Sequence, residues 1–264
     1  MGDASAVKDI VLIGTGHAAT VLGRLFRQRG YRIRQVFGRD RAAATELALE
    51  LDAEAVTSTA GISRSGDLCL VAISDAALYR IADWMPRLSM PVAHTAGSVP
   101  IDVLTRLSSD YGVLYPLQSL RRNQPEIPEI PFLVEGNNRD MEHLLRAVAR
   151  NLSGMVSHAG EEERRRMHLA AVFTSNFFNH LCVLAEDFCA QEGIDFRMLL
   201  PLLEETVTRM ETERPGNLQT GPALRGDQPT IDRHLEILRE RREMRDIYAL
   251  MTTSIQQHYK TAGQ

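Results

Sequence analysis

Over the first 158 residues, apolar runs of strand length alternate with stretches whose apolar positions recur at helical spacing. Beyond residue 160 only the helical spacing remains. Ile10, Val11, Leu12 and Ile13 form an uninterrupted apolar run, as in a parallel strand buried on both faces. Residues 20–29 then carry Val21, Leu22, Leu25 and Phe26 on one helical face. The same reading predicts strands at 31–37, 54–56, 68–73, 91–95 and 111–115. Helices are predicted at 42–51, 76–84 (stopped before Pro86) and 101–107. Prolines 116, 125, 128 and 131 make the next segment irregular. Two further strands, 131–136 and 154–157, flank a helix over 139–151, and helices follow at 161–191, 195–212, 229–242 and 244–259.

The pattern predicts an α/β fold, a doubly wound, mostly parallel Rossmann sheet followed by an all-α C-terminal domain. The composition shift near residue 160 places the boundary, giving a nucleotide-binding domain over 1–159 and a helical domain over 160–264. At 264 residues, 44% hydrophobic and 24% charged, the chain has ordinary globular composition. A net charge of −4, from 30 basic and 34 acidic residues, argues against nucleic acid or a membrane surface as partner. Three cysteines without metal-ligand spacing read as small hydrophobes in a reducing compartment, and no metal site is expected. No run approaches a membrane span, and the first five residues lack the basic and apolar regions of a signal peptide. A cytoplasmic protein is expected.

Between the first strand and helix lies Gly14-x-Gly16-x-x-Ala19, a dinucleotide fingerprint with alanine in the third place. Gly14 allows the tight turn, Gly16 lets a pyrophosphate approach, and Ala19 brings helix close to strand. Thr15, His17 and Ala18 complete the cradle, with the helix N-terminus facing the phosphates. Arg39 lies 20 residues after Ala19, where the ribose is read, and no acidic residue ends the second strand. Arginine there accommodates a 2′-phosphate, so NADP is the expected cofactor. Gly38 leaves room for that phosphate, Arg41 offers a second charge, and Asp40 reads as the cap of the next helix.

Open sheets bind ligands at the carboxyl ends of their strands. That points to Ser74 and Asp75, to His94, Thr95, Ala96, Gly97 and Ser98, and to Tyr115, Pro116, Leu117, Gln118 and Ser119. Ser74 and Ser98 are candidates either for backbone capping or for ligand contact, and His94 either for a hydrogen-bonded core residue or for acid–base work. On the long helix from 161, His168, Ser175, Asn179 and Glu186 fall on one face at 100° per residue, with Asn176 at its border. Glu161 to Arg166 read instead as solvent-facing charge pairs. A polar file among apolar neighbours indicates a cleft or a polar helix seam. Arg225, alone in a Gly/Pro-rich loop, either holds an anionic substrate group or pairs with Asp227, which also reads as a helix cap.

With these residues assembled, the chain resembles an uncharacterised bacterial family of NADP oxidoreductases. Its N-terminal domain is similar to those of deazaflavin-dependent NADP oxidoreductases and pyrroline-5-carboxylate reductases. Its C-terminal domain is similar to that of 6-phosphogluconate dehydrogenases. The resemblance spans nearly the whole chain and rests on Gly14-x-Gly16 with Ala19, the loop 94–98, Pro116-Leu117-Gln118, residues 168–176, and the 221–227 loop with His234. It implies a homodimer through the C-terminal helices, often with shared clefts, and hydride transfer between NADP(H) and a small carbonyl, hydroxyacid or imine. One departure stands out. Related β-hydroxyacid dehydrogenases place a lysine four residues before an asparagine. If Asn176 matches that asparagine, the lysine's place is held by Val172, and no lysine occurs between Lys8 and Lys260.

The expected activity is therefore NADP-dependent oxidoreduction of a small molecule. His168 is the first choice as acid–base and His94 the second; Ser175, Asn176 and Asn179 would orient substrate, with Gln118 and Arg225 binding it. The competing reading is a non-catalytic NADP-binding redox sensor or scaffold dimer. A third, hydride exchange with a deazaflavin, would need a wide aromatic cleft that Phe177 and Phe178 alone do not supply.

Overall fold

The computed structural model describes residues 7–262, so the N-terminal stretch 1–5, read above for leader features, lies outside the described residues. The chain divides into two compact units, Met1–Asn176 and Phe177–Gln264.

The first unit is built on eight strands: β1 (Asp9–Ile13), β2 (Arg32–Phe37), β3 (Glu54–Val56), β4 (Leu68–Val71), β5 (Val92–His94), β6 (Tyr111–Pro116), β7 (Phe132–Gly136) and β8 (Val156–His158). Their order is β3-β2-β1-β4-β5-β6-β7-β8, parallel throughout except for the antiparallel β6–β7 pair. The chain starts at mid-sheet, winds outward to β3 and returns to β4. A crevice therefore opens at the carboxyl ends of β1 and β4. Strand alternation sends Ile10 and Leu12 to one face and Val11 and Ile13 to the other. The first face packs on α1 (His17–Gln28), α2 (Arg41–Leu51) and α4 (Arg139–Leu152) through residues such as Leu22, Phe26, Leu47, Leu145 and Val148. The second is covered by Leu78, Ile81, Met85, Leu88 and Leu104.

That second layer is less helical than the periodicity predicts. The span 76–84 is a one-turn helix α3 (Asp75–Leu78) followed by a 3₁₀ turn (Ile81–Asp83), and 101–107 shortens to a 3₁₀ turn (Ile101–Leu104). The apolar residues still reach the sheet, so packing is met without a continuous helix.

Helix α5 (Glu161–Ala171) belongs to the first unit. Arg164, which the charge pattern assigned to solvent, is instead fully buried, paired with Glu135 on β7 and donating to the Val99 carbonyl (2.8 Å). An arginine is tolerated there because the carboxylate takes Nη1 and the carbonyl Nη2, although its buried Nε has no partner. The division between units thus falls after the first turns of the long helical run, later than the composition shift near 160. The run continues as a π-helical stretch (Val172–Phe177) into α6 (Phe178–Glu192).

The second unit contains α6, α7 (Leu200–Arg209), the single turns α8 (Pro215–Leu218) and α9 (Pro222–Arg225), α10 (Gln228–Ile237) and α11 (Arg242–Ala262). Among its described residues only Cys189, Ala223, Ile231 and Leu238 are buried, while Met198, Leu202, Val207 and Leu250 are largely exposed. Among the described residues no helix is long and apolar enough to cross a membrane.

Candidate functional site

The crevice at the β1–β4 switch holds a cavity of about 570 Å³. Its floor is the turn Gly14-Thr15-Gly16-His17-Ala18, its side walls Gly38 and Arg39 after β2 and Ala72, Ile73 and Ser74 after β4. Phe37 and Trp84, stacked with centroids 5.5 Å apart and 17° between planes, close an apolar end together with Ala77.

The two glycines of the turn answer to different needs. Gly14 has φ +124°, and a Cβ there would lie 2.1 Å from the Ala72 carbonyl oxygen, so the fold itself requires it. Gly16 has φ −80°, and a Cβ there would meet nothing within 4 Å. No protein atom asks for that glycine; the space its missing side chain leaves is cavity. Ala19 is buried against the sheet, and Gly38 lets β2 approach Thr15, whose methyl would lie 2.5 Å from an added Cβ. Arg39 is exposed at the cavity wall, whereas Arg41 is exposed and does not line it. Asp40 caps α2, accepting from the Ala42 and Ala43 N–H groups at 2.9 and 3.2 Å. Ser74 stands at the N-cap of α3 without a side-chain capping bond.

A second cavity of about 710 Å³ lies at the end of β6. Tyr115, Leu117, Gln118 and Ser119 line one side, and His168, Val172, Thr174, Ser175 and Asn176 the other. Tyr115 Oη and His168 Nδ1 lie 2.9 Å apart across it. Burial, and then the Asp75 carboxylate, push the Tyr115 phenol above its ordinary value, while Arg164 pulls it down. The phenol stays protonated at neutral pH. Its ring packs on Gly97, where a Cβ would lie 2.7 Å from Cζ. Ser98 Oγ donates to Asp75 Oδ2 at 2.6 Å, which ties the loop after β5 to the start of α3.

Several sequence candidates are occupied elsewhere. His94 is fully buried; its Nδ1 accepts from the Ala96 N–H (3.2 Å), so Nε2 carries the proton and donates to the Pro100 carbonyl (3.3 Å). Burial and the Arg164 charge lower its pKa to about 3. Both nitrogens are committed and the ring is neutral, which favours the core role over acid–base work. Thr95 is buried with Oγ1 toward the Val71 carbonyl (3.4 Å). Neither Thr95, Gly97 nor Ser98 lines either cavity.

In the second unit Asn179 is exposed, and Arg225 is exposed and forms no ion pair among the described residues. Asp227 caps α10 through Thr230 N–H and Oγ1, which hold its carboxyl below the usual range. His234 Nδ1 meets the Tyr248 hydroxyl at 2.9 Å.

A family described as a domain of unknown function, DUF2520, matches residues 130–255. No curated protein matches the chain. Among solved structures the chain is similar to BF3122 from Bacteroides fragilis, described as a putative NADP oxidoreductase. The two are 36% identical over 96% of this chain and 99% of that one, with a TM-score of 0.87. The chain belongs to this NADP oxidoreductase family. More distant likenesses concern the fold. An imine reductase from Myxococcus stipitatus in complex with NADP+ is 19% identical, covering 96% of this chain and 94% of that one, with a TM-score of 0.61. A reductive aminase from Aspergillus terreus in complex with NADPH and ethyl-5-oxohexanoate is 15% identical, covering 97% and 94%, with a TM-score of 0.71.

For this member of the NADP oxidoreductase family, Val172 does line the second cavity, at the place where the resemblance would put lysine. Sequence reasoning pointed to Tyr115 only as the start of the stretch 115–119 at the carboxyl end of a strand and gave it no role of its own. It passed over Trp84, read only as the end of a helix.

Proposed function

We propose that this chain is an NADP-dependent oxidoreductase acting on a small carbonyl, hydroxyacid or imine, with Tyr115 and His168 handling the proton. The open space over Gly16, in one cavity with Arg39, carries the cofactor assignment. Gly16 and the N-terminal N–H groups of α1 would hold a pyrophosphate in the space a side chain would otherwise fill. Arg39 would hold the 2′-phosphate as a charged fork, and Phe37 and Trp84 would offer the adenine an apolar wall. When bound, NADP(H) supplies or accepts the hydride.

The rest falls to the chain. Tyr115, held as a neutral phenol, donates its proton to the substrate oxygen or nitrogen, and His168 returns one to it through their hydrogen bond. This pair takes the role that lysine plays in the related dehydrogenases. Gln118, Ser175 and Asn176 orient the substrate by hydrogen bonds. His94 keeps β5 and its loop in place and drops out as a base. The sparse burial of the second unit supports a homodimer that covers its apolar faces.

A panel of small oxo acids, hydroxy acids and imines, followed by NADPH absorbance, tests the reading. Turnover of one class is expected. Tight cofactor binding with no turnover across the panel would favour a redox sensor instead.

A further inference from the structure

We propose that Arg164 is the positioning residue of the Tyr115–His168 pair: one buried guanidinium locks together the three segments that carry or support the two side chains. The proposal rests on the reading above, in which that pair handles the proton.

Arg164 and His168 lie one turn apart on α5, on the same helical face. Within α5 Arg164 alone is buried, whereas His168 is half-buried at the cavity wall. The register of the helix against the sheet is therefore carried by Arg164. Its Nη1 pairs with Glu135 on β7, and its Nη2 donates at 2.8 Å to the carbonyl of Val99, in the loop after β5. Both anchors lead to Tyr115. In the β6–β7 pair Glu135 stands opposite Val113 and Leu133 opposite Tyr115, which puts Glu135 and Tyr115 on one face of the sheet. The loop after β5 brings Gly97 against the Tyr115 ring, where a Cβ would lie 2.7 Å from Cζ and 3.0 Å from the hydroxyl oxygen. One side chain thus sets the helix that carries His168, the strand beside Tyr115 and the loop on which its ring packs. The product of that clamp is the 2.9 Å approach of Tyr115 Oη to His168 Nδ1.

Anchoring alone does not call for an arginine. Nε is buried without a partner, and well-packed apolar residues in place of a buried ion pair are often neutral or stabilising. What an apolar residue lacks is the charge. Burial pushes the Tyr115 phenol up, the Asp75 carboxylate pushes it further, and Arg164 is the charge that pulls it down. When Tyr115 gives its proton to the substrate, Arg164 stabilises the phenolate left behind until His168 returns a proton.

Arg164→Met alone would leave Glu135 unpaired, so the test combines it with Glu135→Gln, which removes both charges. This double variant is expected to bind NADPH within twofold of wild type and to lose about ten- to a hundredfold in kcat. Adding Tyr115→Phe should then reduce kcat little further, because Arg164 acts through that hydroxyl. A further loss as large as Tyr115→Phe causes in the wild type would overturn the proposal, as would a double variant whose kcat stays within twofold of wild type. A second readout needs no turnover: NMR of the ring nitrogens in isotope-labelled histidine. In the wild-type background Tyr115→Phe should shift the His168 Nδ1 resonance, since its hydrogen-bond partner is removed. In the Arg164→Met/Glu135→Gln background the same substitution should leave that resonance unmoved. Arg164→Lys, which keeps the charge but not the planar fork, should weaken the response while preserving the fold. A His168 Nδ1 that responds equally in every background would show that the pair forms without Arg164. A Tyr115→Phe chain of normal turnover, with the resonances behaving as expected, would instead remove the proton-handling reading and leave the clamp standing.

Discussion

Replacing the two glycines of the first turn separates what the fold needs from what the ligand needs. At Gly14, alanine must adopt φ +124° and place its Cβ 2.1 Å from the Ala72 carbonyl oxygen. Strain of about 1–3 kcal/mol adds to a similar overpacking cost. For a chain of this size that lowers the melting temperature by roughly 4–20 °C. At Gly16, φ is −80° and the new methyl meets no protein atom within 4 Å. The loss is then confined to the helix cap, about 1 kcal/mol or less, or roughly 2–4 °C. Cofactor binding responds in the opposite order. The Gly16 methyl occupies the approach of the pyrophosphate, costing about 1–3 kcal/mol in contact and at least one charge-assisted bond of about 1.5–3 kcal/mol. NADPH affinity should fall about a hundredfold or more. Thermal unfolding by circular dichroism and NADPH titration on the same preparations read both effects. A Gly16→Ala protein that keeps wild-type affinity, or that melts as early as Gly14→Ala, would refute the reasoning.

Other consequences can be checked with single variants. Arg39→Ala should weaken NADPH far more than NADH, and equal losses would remove the 2′-phosphate assignment. Tyr115→Phe and His168→Ala should each cut turnover at least a hundredfold while leaving NADPH affinity intact; a Tyr115→Phe enzyme of normal rate would place the proton donor elsewhere. His94, whose pKa falls from 6.5 to about 3 on folding, contributes stability that is complete above pH 6.5 and drains as pH falls toward 3. The slope is about 1.4 kcal/mol per pH unit. His94→Gln should flatten stability against pH in that window, as measured by urea denaturation. An unchanged slope would show that His94 is not held neutral.

Much of the sheet was legible because each strand is a short, dense apolar run and its fingerprint turn depends on local backbone chemistry. Asp40 and Asp227 were recognisable as caps for the same reason, since a cap is decided within three residues. What escaped depended on distant partners. Arg164 looked like one of a series of surface charges, because nothing nearby shows that Glu135 and the Val99 carbonyl wait for it. His94 could not be resolved until both its acceptor and its donor were in place. The helical projection linked His168 with Ser175 correctly, and both face the second cavity. However, the π-helical stretch turns less than 100° per residue and brings Thr174 and Asn176 to the same wall. Tyr115 was legible as the end of its strand but not as a proton donor, because only the fold brings its hydroxyl to 2.9 Å from His168 Nδ1.

Trp84 is the sole tryptophan of the chain and lies in the wall of the cavity assigned to the dinucleotide, stacked on Phe37. Its fluorescence therefore reports on that cavity without any label or variant. Titrating NADPH into the wild-type protein should quench it saturably, with NADH needing markedly higher concentration to reach the same level. Emission that stays constant through the NADPH titration would contradict the account at its centre.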